Sequence, residues 1–301
     1  MRQFLFGGLF LAVACLGGQA LADVTDPALA PVAPAAPVST PIVFEAPTPA
    51  PTPVGGPVGP LGLTFSVEAG YTTVSMADLN GSNAALWGWY DTSAGHYGAI
   101  HDGAVIDLDL MASQWTSYPG LEVGLRAEYL RTGTSELQVT NAQAIQSGFN
   151  DLVWFNMTDN GTLMSGLVGL GFTGPTIFPG LTLGLHGWAG PGFARINQDV
   201  TLYHYLSGHG PQPATGIYEG MCFEGQLEST LGYQLLSNFS VSVTGGWRWA
   251  DVGGVTDNTG RALYENLPAL GFYQPYSHYS LAPVNIDFSG ATAKFSADYN
   301  F

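Results

Sequence analysis

The chain has 301 residues, of which 23 are acidic and seven basic, giving a formal charge of −16. Such a surface repels a phosphate backbone, so no nucleic-acid partner is expected. Charged residues make up 10% of the chain, against roughly a quarter in soluble domains, and the 41 glycines without collagen periodicity also argue against an ordinary globular surface.

Residues 1–22, MRQFLFGGLFLAVACLGGQALA, combine a basic start (Arg2), an apolar stretch from Phe4 to Leu16 and Ala20-Leu21-Ala22 before Asp23. That is the layout of a secretory signal peptide with cleavage after Ala22. The apolar run is too short to cross about 30 Å of hydrocarbon as a helix. The alternative of lipidation at Cys15 is weakened by Ala12, which stands where a leucine is usual. Cleavage leaves Cys222 as the sole cysteine, so no intramolecular disulfide can form.

Residues 23–60 hold eleven prolines and no Lys or Arg. This composition favours a semi-rigid, polyproline II-like linker with a reach on the order of 100 Å. Only the apolar island Ile42-Val43-Phe44 hints at a cell-wall or periplasmic contact through it.

From residue 61 to residue 301 the pattern has a period of two, the mark of strands with one apolar and one polar face. Seven segments alternate: LGLTFSVEAGY (61–71), VIDLDLMA (105–112), LEVGLRAEY (121–129), LTLGLHGWA (181–189), FEGQLESTLGY (223–233), FSVSVTGGWRW (239–249) and ATAKFSADYNF (291–301). An eighth, LMSGLVGLGF (163–172), is apolar on both faces and leaves its register open. Three joints are tight (116–120, 174–180, 235–238) and the others run to roughly 20–35 residues, with YPGLEVGL at 118 echoed by FPGLTLGL at 178. Eight strands with all long connections at one end predict an all-β, up-and-down antiparallel barrel with long extracellular loops, closed so that no edge is left. The connections 74–104 and 251–285 are long enough to hide a further hairpin.

No apolar face carries a charge. The opposite faces carry Glu68, Asp107, Asp109, Glu122, Arg126, Glu128, Glu224, Glu228, Arg248, Lys294 and Asp298. A soluble barrel would place these outward, whereas a membrane barrel turns its apolar face to lipid and its polar face to the lumen. The aromatic residues near strand ends (Tyr71, Trp115, Tyr129, Tyr233, Trp247, Trp249) suit interfacial girdles. The expected medium is therefore outer-membrane lipid.

On these features, residues 61–301 resemble the small eight-stranded outer-membrane barrels of Gram-negative bacteria, of the OmpA transmembrane-domain and OmpX type. FSADYNF, with Phe295, Tyr299 and Phe301 alternating, resembles the C-terminal signal read by the barrel-assembly machinery. The resemblance implies an outer-membrane location and a fold, and names no activity. The chain departs from a typical OmpA, whose peptidoglycan-binding domain follows the barrel, because its expected periplasmic extension stands in front.

For function, the first reading is a structural or surface-interaction protein whose lumen is filled by a charged network, with an extracellular partner that the sequence does not name. Long loops rich in Trp, Tyr, Gly and Asn fit such a surface. An alternative is a narrow cation-preferring pore lined by carboxylates. A further alternative is an enzyme or metal-binding protein using loop histidines: His96 with His101 and His204 with His209 each stand five apart, and His278 lies in a third loop. No G-x-S-x-G or H-E-x-x-H motif accompanies them, and neither catalytic residues nor a cofactor is expected.

Overall fold

The computed structural model describes residues 62–88, 95–113, 118–143, 152–176, 178–204, 212–263 and 284–301. The signal-peptide and proline-rich readings of residues 1–60 lie outside them, as do Trp115, His209 and His278. Among the described residues, ten strands and one helix follow in chain order: β1 Leu63–Thr73, α1 Ala77–Gly88, β2 Gly95–Gly98, β3 Asp102–Ala112, β4 Leu121–Gln143, β5 Leu152–Thr173, β6 Leu181–His204, β7 Gln212–Leu236, β8 Phe239–Val252, β9 Ile286–Asp287 and β10 Gly290–Asn300. Eight of them pair antiparallel in sequence order, and β10 pairs both β8 and β1 (Tyr299 with Phe239 and with Phe65). The ring is closed, which leaves its backbone groups no free edge. β2 adds to β4 and β9 to β8, both outside the ring. The described part of the 74–104 connection thus contains α1 and β2, and no extra pair of ring strands.

At one end the joints are tight. Tyr118-Pro119-Gly120-Leu121 and Phe178-Pro179-Gly180-Leu181 form the same turn, with the Leu N–H donating to the aromatic residue's carbonyl at 3.2 and 2.9 Å. Gly120 and Gly180 take φ of +81° and +82°. Proline followed by a positive-φ glycine is the type II pattern, which explains the echoed PG.

The strands extend well beyond the sequence expectation at the other end. Residues 130–143 and 152–162, expected as loop, continue β4 and β5, and β6 and β7 lengthen likewise. Two features conceal this continuation. A bulge between Arg131 and Thr134 inserts one residue, so inward positions on β4 change from even (Arg126, Glu128, Leu130) to odd (Ser135, Leu137, Val139). The polarity of the two faces also reverses.

Below this level the outer surface is apolar: Leu125 and Tyr129 on β4, Met164, Val168, Leu170 and Phe172 on β5, Leu183 and Leu185 on β6, Leu227 and Leu231 on β7. Thus Leu163 and Leu167 of the ambiguous segment face in, and Met164 and Val168 face out. Residues 164–172 rise roughly 20 Å at about 3.3 Å per residue and a tilt near 40°, close to the ~25 Å apolar band of membrane barrels. Above it, outward positions on β5 become Thr162, Asn160, Thr158 and Asn156, and inward ones build an apolar core of Leu130, Leu137, Val139, Met157, Leu163, Ile196 and Val200.

Helix α1 is seated in this upper core through Leu79 and Leu86. The Asn80 side chain brackets Ile100, donating to its carbonyl at 2.7 Å and accepting from its N–H at 2.9 Å. Asn83 donates to Asp159 (2.8 Å) and Ser135 (3.2 Å), and Gln198 donates to the other Asp159 oxygen at 3.0 Å. Burial pushes the Asp159 carboxyl up to about 6; the two amide donors only partly oppose this, and the nearby Asp199 adds to it. An acid that holds its proton to higher pH when folded than when unfolded loses stability as pH rises from its ordinary range towards 6. Relative to Asp159→Asn, the wild-type barrel in detergent should therefore lose roughly 2–3 kcal/mol between pH 4 and pH 7. Thermal melts that run parallel for the two proteins across this range would exclude the effect.

Candidate functional site in the barrel lumen

Between the upper core and the short turns, the inward faces of β1, β3, β4, β7, β8 and β10 bring together charges from across the sequence. Nine of the eleven inward charges read from the sequence are buried here: Glu68, Asp107, Asp109, Arg126, Glu128, Glu224, Glu228, Arg248 and Lys294. The alternation that turns Phe65, Leu108, Leu125, Leu227 and Phe295 outward turns these side chains inward.

Arg126 is the hub. Its guanidinium donates as a fork to Asp109, Nε to Oδ1 at 2.8 Å and Nη2 to Oδ2 at 2.6 Å. Its Nη1 reaches Gln226 Oε1 and Glu228 Oε2 at 2.8 Å each, and Nη2 reaches Glu68 at 3.2 Å. The planar fork suits this simultaneous engagement, which a lysine could not reproduce. Trp188 covers one face of the guanidinium at 4.2 Å from the ring centroid. The indole can lie there because β5 offers Gly169 beneath it: a Cβ at that position would collide with the Trp188 ring.

Lys294 and Arg248 extend the network in opposite directions. Lys294 Nζ donates to Asp107 at 2.5 Å, stands 3.0 Å from Glu68 and contacts Glu228. Glu68, Asp107 and Glu228 are spaced as three ligands of one metal ion would be, and the ammonium occupies the middle of that group. Arg248 meets Glu128 and Glu224 at 3.0 Å each, obliquely, as ion pairs rather than aligned hydrogen bonds. Neutral donors spread the excess of carboxylates over cations: Gln226 Nε2 donates to Glu128 at 2.5 Å and Glu224 at 2.6 Å, and Ser165 donates to Glu224.

The two remaining charges lie lower. Glu122 faces His186 at 3.7 Å, and Asp298 accepts from Ser296 at 2.9 Å and Ser240 at 3.4 Å. They line a vestibule of about 670 Å³ that runs from Tyr118 and Pro175 at the short turns up to Arg126, Trp188 and Glu228. Above that level the ion network and then the apolar core with α1 follow.

Phe295 and Tyr299 are exposed on the outer face of β10, and Phe301 just beyond its end is exposed with its ring in edge contact with Tyr299 at 4.8 Å. His96 and His101 are exposed at the upper end, and the side chain of His204 and all of His209 lie outside the described residues. Among the described residues, no group of three potential metal ligands includes a histidine.

Sequence reasoning missed Trp188, Gln226 and the Asn83–Asp159–Gln198 cluster. Gln226 was open to discovery, since it shares a face with Glu224 and Glu228 two residues to either side. Trp188 carried no signal without knowledge that Gly169 lies opposite it (Gly169 pairs Trp188).

Replacing Arg126 by Met should leave Asp109 without its guanidinium partner and Glu68 and Glu228 with Lys294 alone, at a cost of about 3–5 kcal/mol. Arg126→Lys keeps the charge and should recover only part of that, because the fork to Asp109 is lost. Urea midpoints of the folded barrel in detergent check both, and a near-neutral Arg126→Met would show that the hub is not structural.

No protein-family model and no curated protein matches the chain. Among solved structures it is similar to Neisserial surface protein A, at 10% identity and a TM-score of 0.30 over 80% of this chain and 97% of that one. It is similar to Ail, the attachment invasion locus protein of Yersinia pestis, at 9% identity and TM-score 0.31 over 79% and 98%. A major outer membrane protein from Thermus thermophilus is similar at 12% identity and TM-score 0.34 over 79% and 99%. Values of this size record a likeness, and neither family membership nor activity is carried over from it.

Proposed function

We propose that the chain is a bacterial outer-membrane barrel that presents an extracellular surface and does not conduct. The observation carrying this reading is the filling of the lumen in two layers: the ion network at the level of the apolar belt, and above it an apolar core with α1 packed inside. A path for ions has to pass both. The network would then act as the barrel's substitute for a hydrophobic core, and the long upper hairpins with α1 would form a rigid platform for exposed connections. The cleaved leader (1–22), the periplasmic linker (23–60) and recognition of Phe301 by the assembly machinery belong to the same proposal.

A cation-preferring pore is the second reading, favoured by the acidic lining of the vestibule at Glu68, Asp109, Glu122, Glu228 and Asp298. Planar-bilayer recordings in concentrated KCl separate the two: the purified wild-type barrel should give no discrete openings. Cation-selective steps would replace the surface reading by the pore.

For assembly, Phe301→Ser should leave leader removal intact while folded protein in the outer membrane falls sharply. Phe65→Ser, an outward change on β1, should instead lower the stability of barrels that do insert. Equal insertion defects in the two variants would reduce the C-terminal residues to ordinary membrane-facing strand.

A further inference from the structure

The chain places few cations outside its lumen. Arg126, Arg248 and Lys294 are consumed by the network, and Arg261 lies in the connection after β8. The two that remain after the leader, Arg131 and Arg195, stand in one cross-strand row: Arg131 pairs Thr162, Thr162 pairs Arg195, and Arg195 pairs Glu219. On β4, β5 and β6 this row is the step at which the outer face leaves the apolar belt, while on β7 the exposed Ile217 lies beyond Glu219. Tyr129 precedes Arg131, Met164 lies below Thr162, Phe193 precedes Arg195, and Met221 lies below Glu219. A belt seated in lipid therefore brings this row to the headgroups of the extracellular leaflet.

The local chemistry fits an anion there. Two strand spacings put the Arg131 and Arg195 Cα atoms about 10 Å apart, so both guanidiniums can reach one phosphate between them, above the Thr162 hydroxyl. Arg131 is exposed, and among the described residues it makes no ion pair. Its nearest acidic neighbour on the same outer face of β3, Asp102, is held instead by the Tyr71 hydroxyl at 2.7 Å. Arg195 is bound to Glu219 through Nε at 3.0 Å and Nη2 at 2.6 Å, both to one oxygen, which leaves Nη1 for another acceptor. The flanking Asn160 and Asn197, joined at 3.1 Å, add amide groups at the rim.

We propose that Arg131, Thr162 and Arg195 form a binding site for the phosphorylated headgroup of a lipid in the extracellular leaflet. The proposal rests on the outer-membrane reading above. Guanidinium forks match phosphate oxygens, and the pairing is strongest where water is partly excluded. Glu219 acts as a competitor for Arg195 and so tunes the affinity.

The test uses the folded full chain in neutral detergent, with native mass spectrometry against bisphosphorylated lipid A, its dephosphorylated form and inorganic phosphate. Wild type should retain bisphosphorylated lipid A, and Arg131→Gln with Arg195→Gln should weaken retention roughly ten-fold or more. Glu219→Gln should strengthen it, an effect of opposite sign that loss of folding cannot imitate. Equal retention by wild type and the double variant, or equal retention of the dephosphorylated lipid, overturns the site. Full competition by inorganic phosphate at equal concentration would overturn the lipid assignment in favour of a free anion. Heat-modifiable electrophoretic mobility of each variant is read in parallel: its loss in wild type would remove the barrel reading itself, whereas its presence with unchanged lipid retention removes only the headgroup site.

Discussion

The structure depends on one constraint: a closed eight-strand ring satisfies its backbone hydrogen bonds by itself, but it must still fill its interior. In a soluble barrel the filling is apolar and supplies the driving force. Here the outer face of the belt is apolar, and Arg126, Arg248 and Lys294 hold the interior together through carboxylates. Their worth lies less in net attraction than in the penalty for any rearrangement that would leave a charge unpaired away from water. Arg126, touching β3, β7 and β1 from β4, ties opposite walls of the ring to one another.

The long strands β4–β7 solve the opposite problem a few residues higher. Above Arg131, Thr162 and Arg195 the outer face of β4, β5 and β6 is polar, and Leu137, Val139, Met157 and Ile196 fill the interior like a soluble core. These hydrogen-bonded strands thus change their filling at the level where their outer face turns from apolar to polar. Helix α1 completes the upper layer, and its polar anchors at Asn80 and Asn83 place it without a charge on the helix meeting the apolar side chains.

Much of this was legible in the sequence because period-two alternation reports which medium each face meets. Phe65/Glu68, Leu108/Asp107 and Leu125/Arg126 each separate cleanly, so the ring and its eight strands follow from residue alternation and connection length. Pro119-Gly120 and Pro179-Gly180 announced the tight turns for the same local reason. What was not legible depends on long-range placement. Residues 130–162 read as loop because TGTSELQV carries a polar outer face and a bulge, and the membrane rule for alternation does not apply there. Which cation serves which acid could not be read either, because Arg126 and Glu228 are 102 positions apart and their contact is a property of the closed ring.

The bulge on β4 carries a consequence for how this architecture can change over evolutionary time. Since Gly133 belongs to the inserted step between Arg131 and Thr134, removing one residue there would turn Glu136 and Gln138 inward and Leu137 and Val139 outward. Loss or gain of two residues would keep every later side chain on its own face and merely slide the hairpin. Length variation in the upper hairpins should therefore accumulate in steps of two within the strands, and single-residue changes should be confined to the tips or be matched by a second bulge. The platform can grow or shrink under that rule while the ion network beneath it stays fixed.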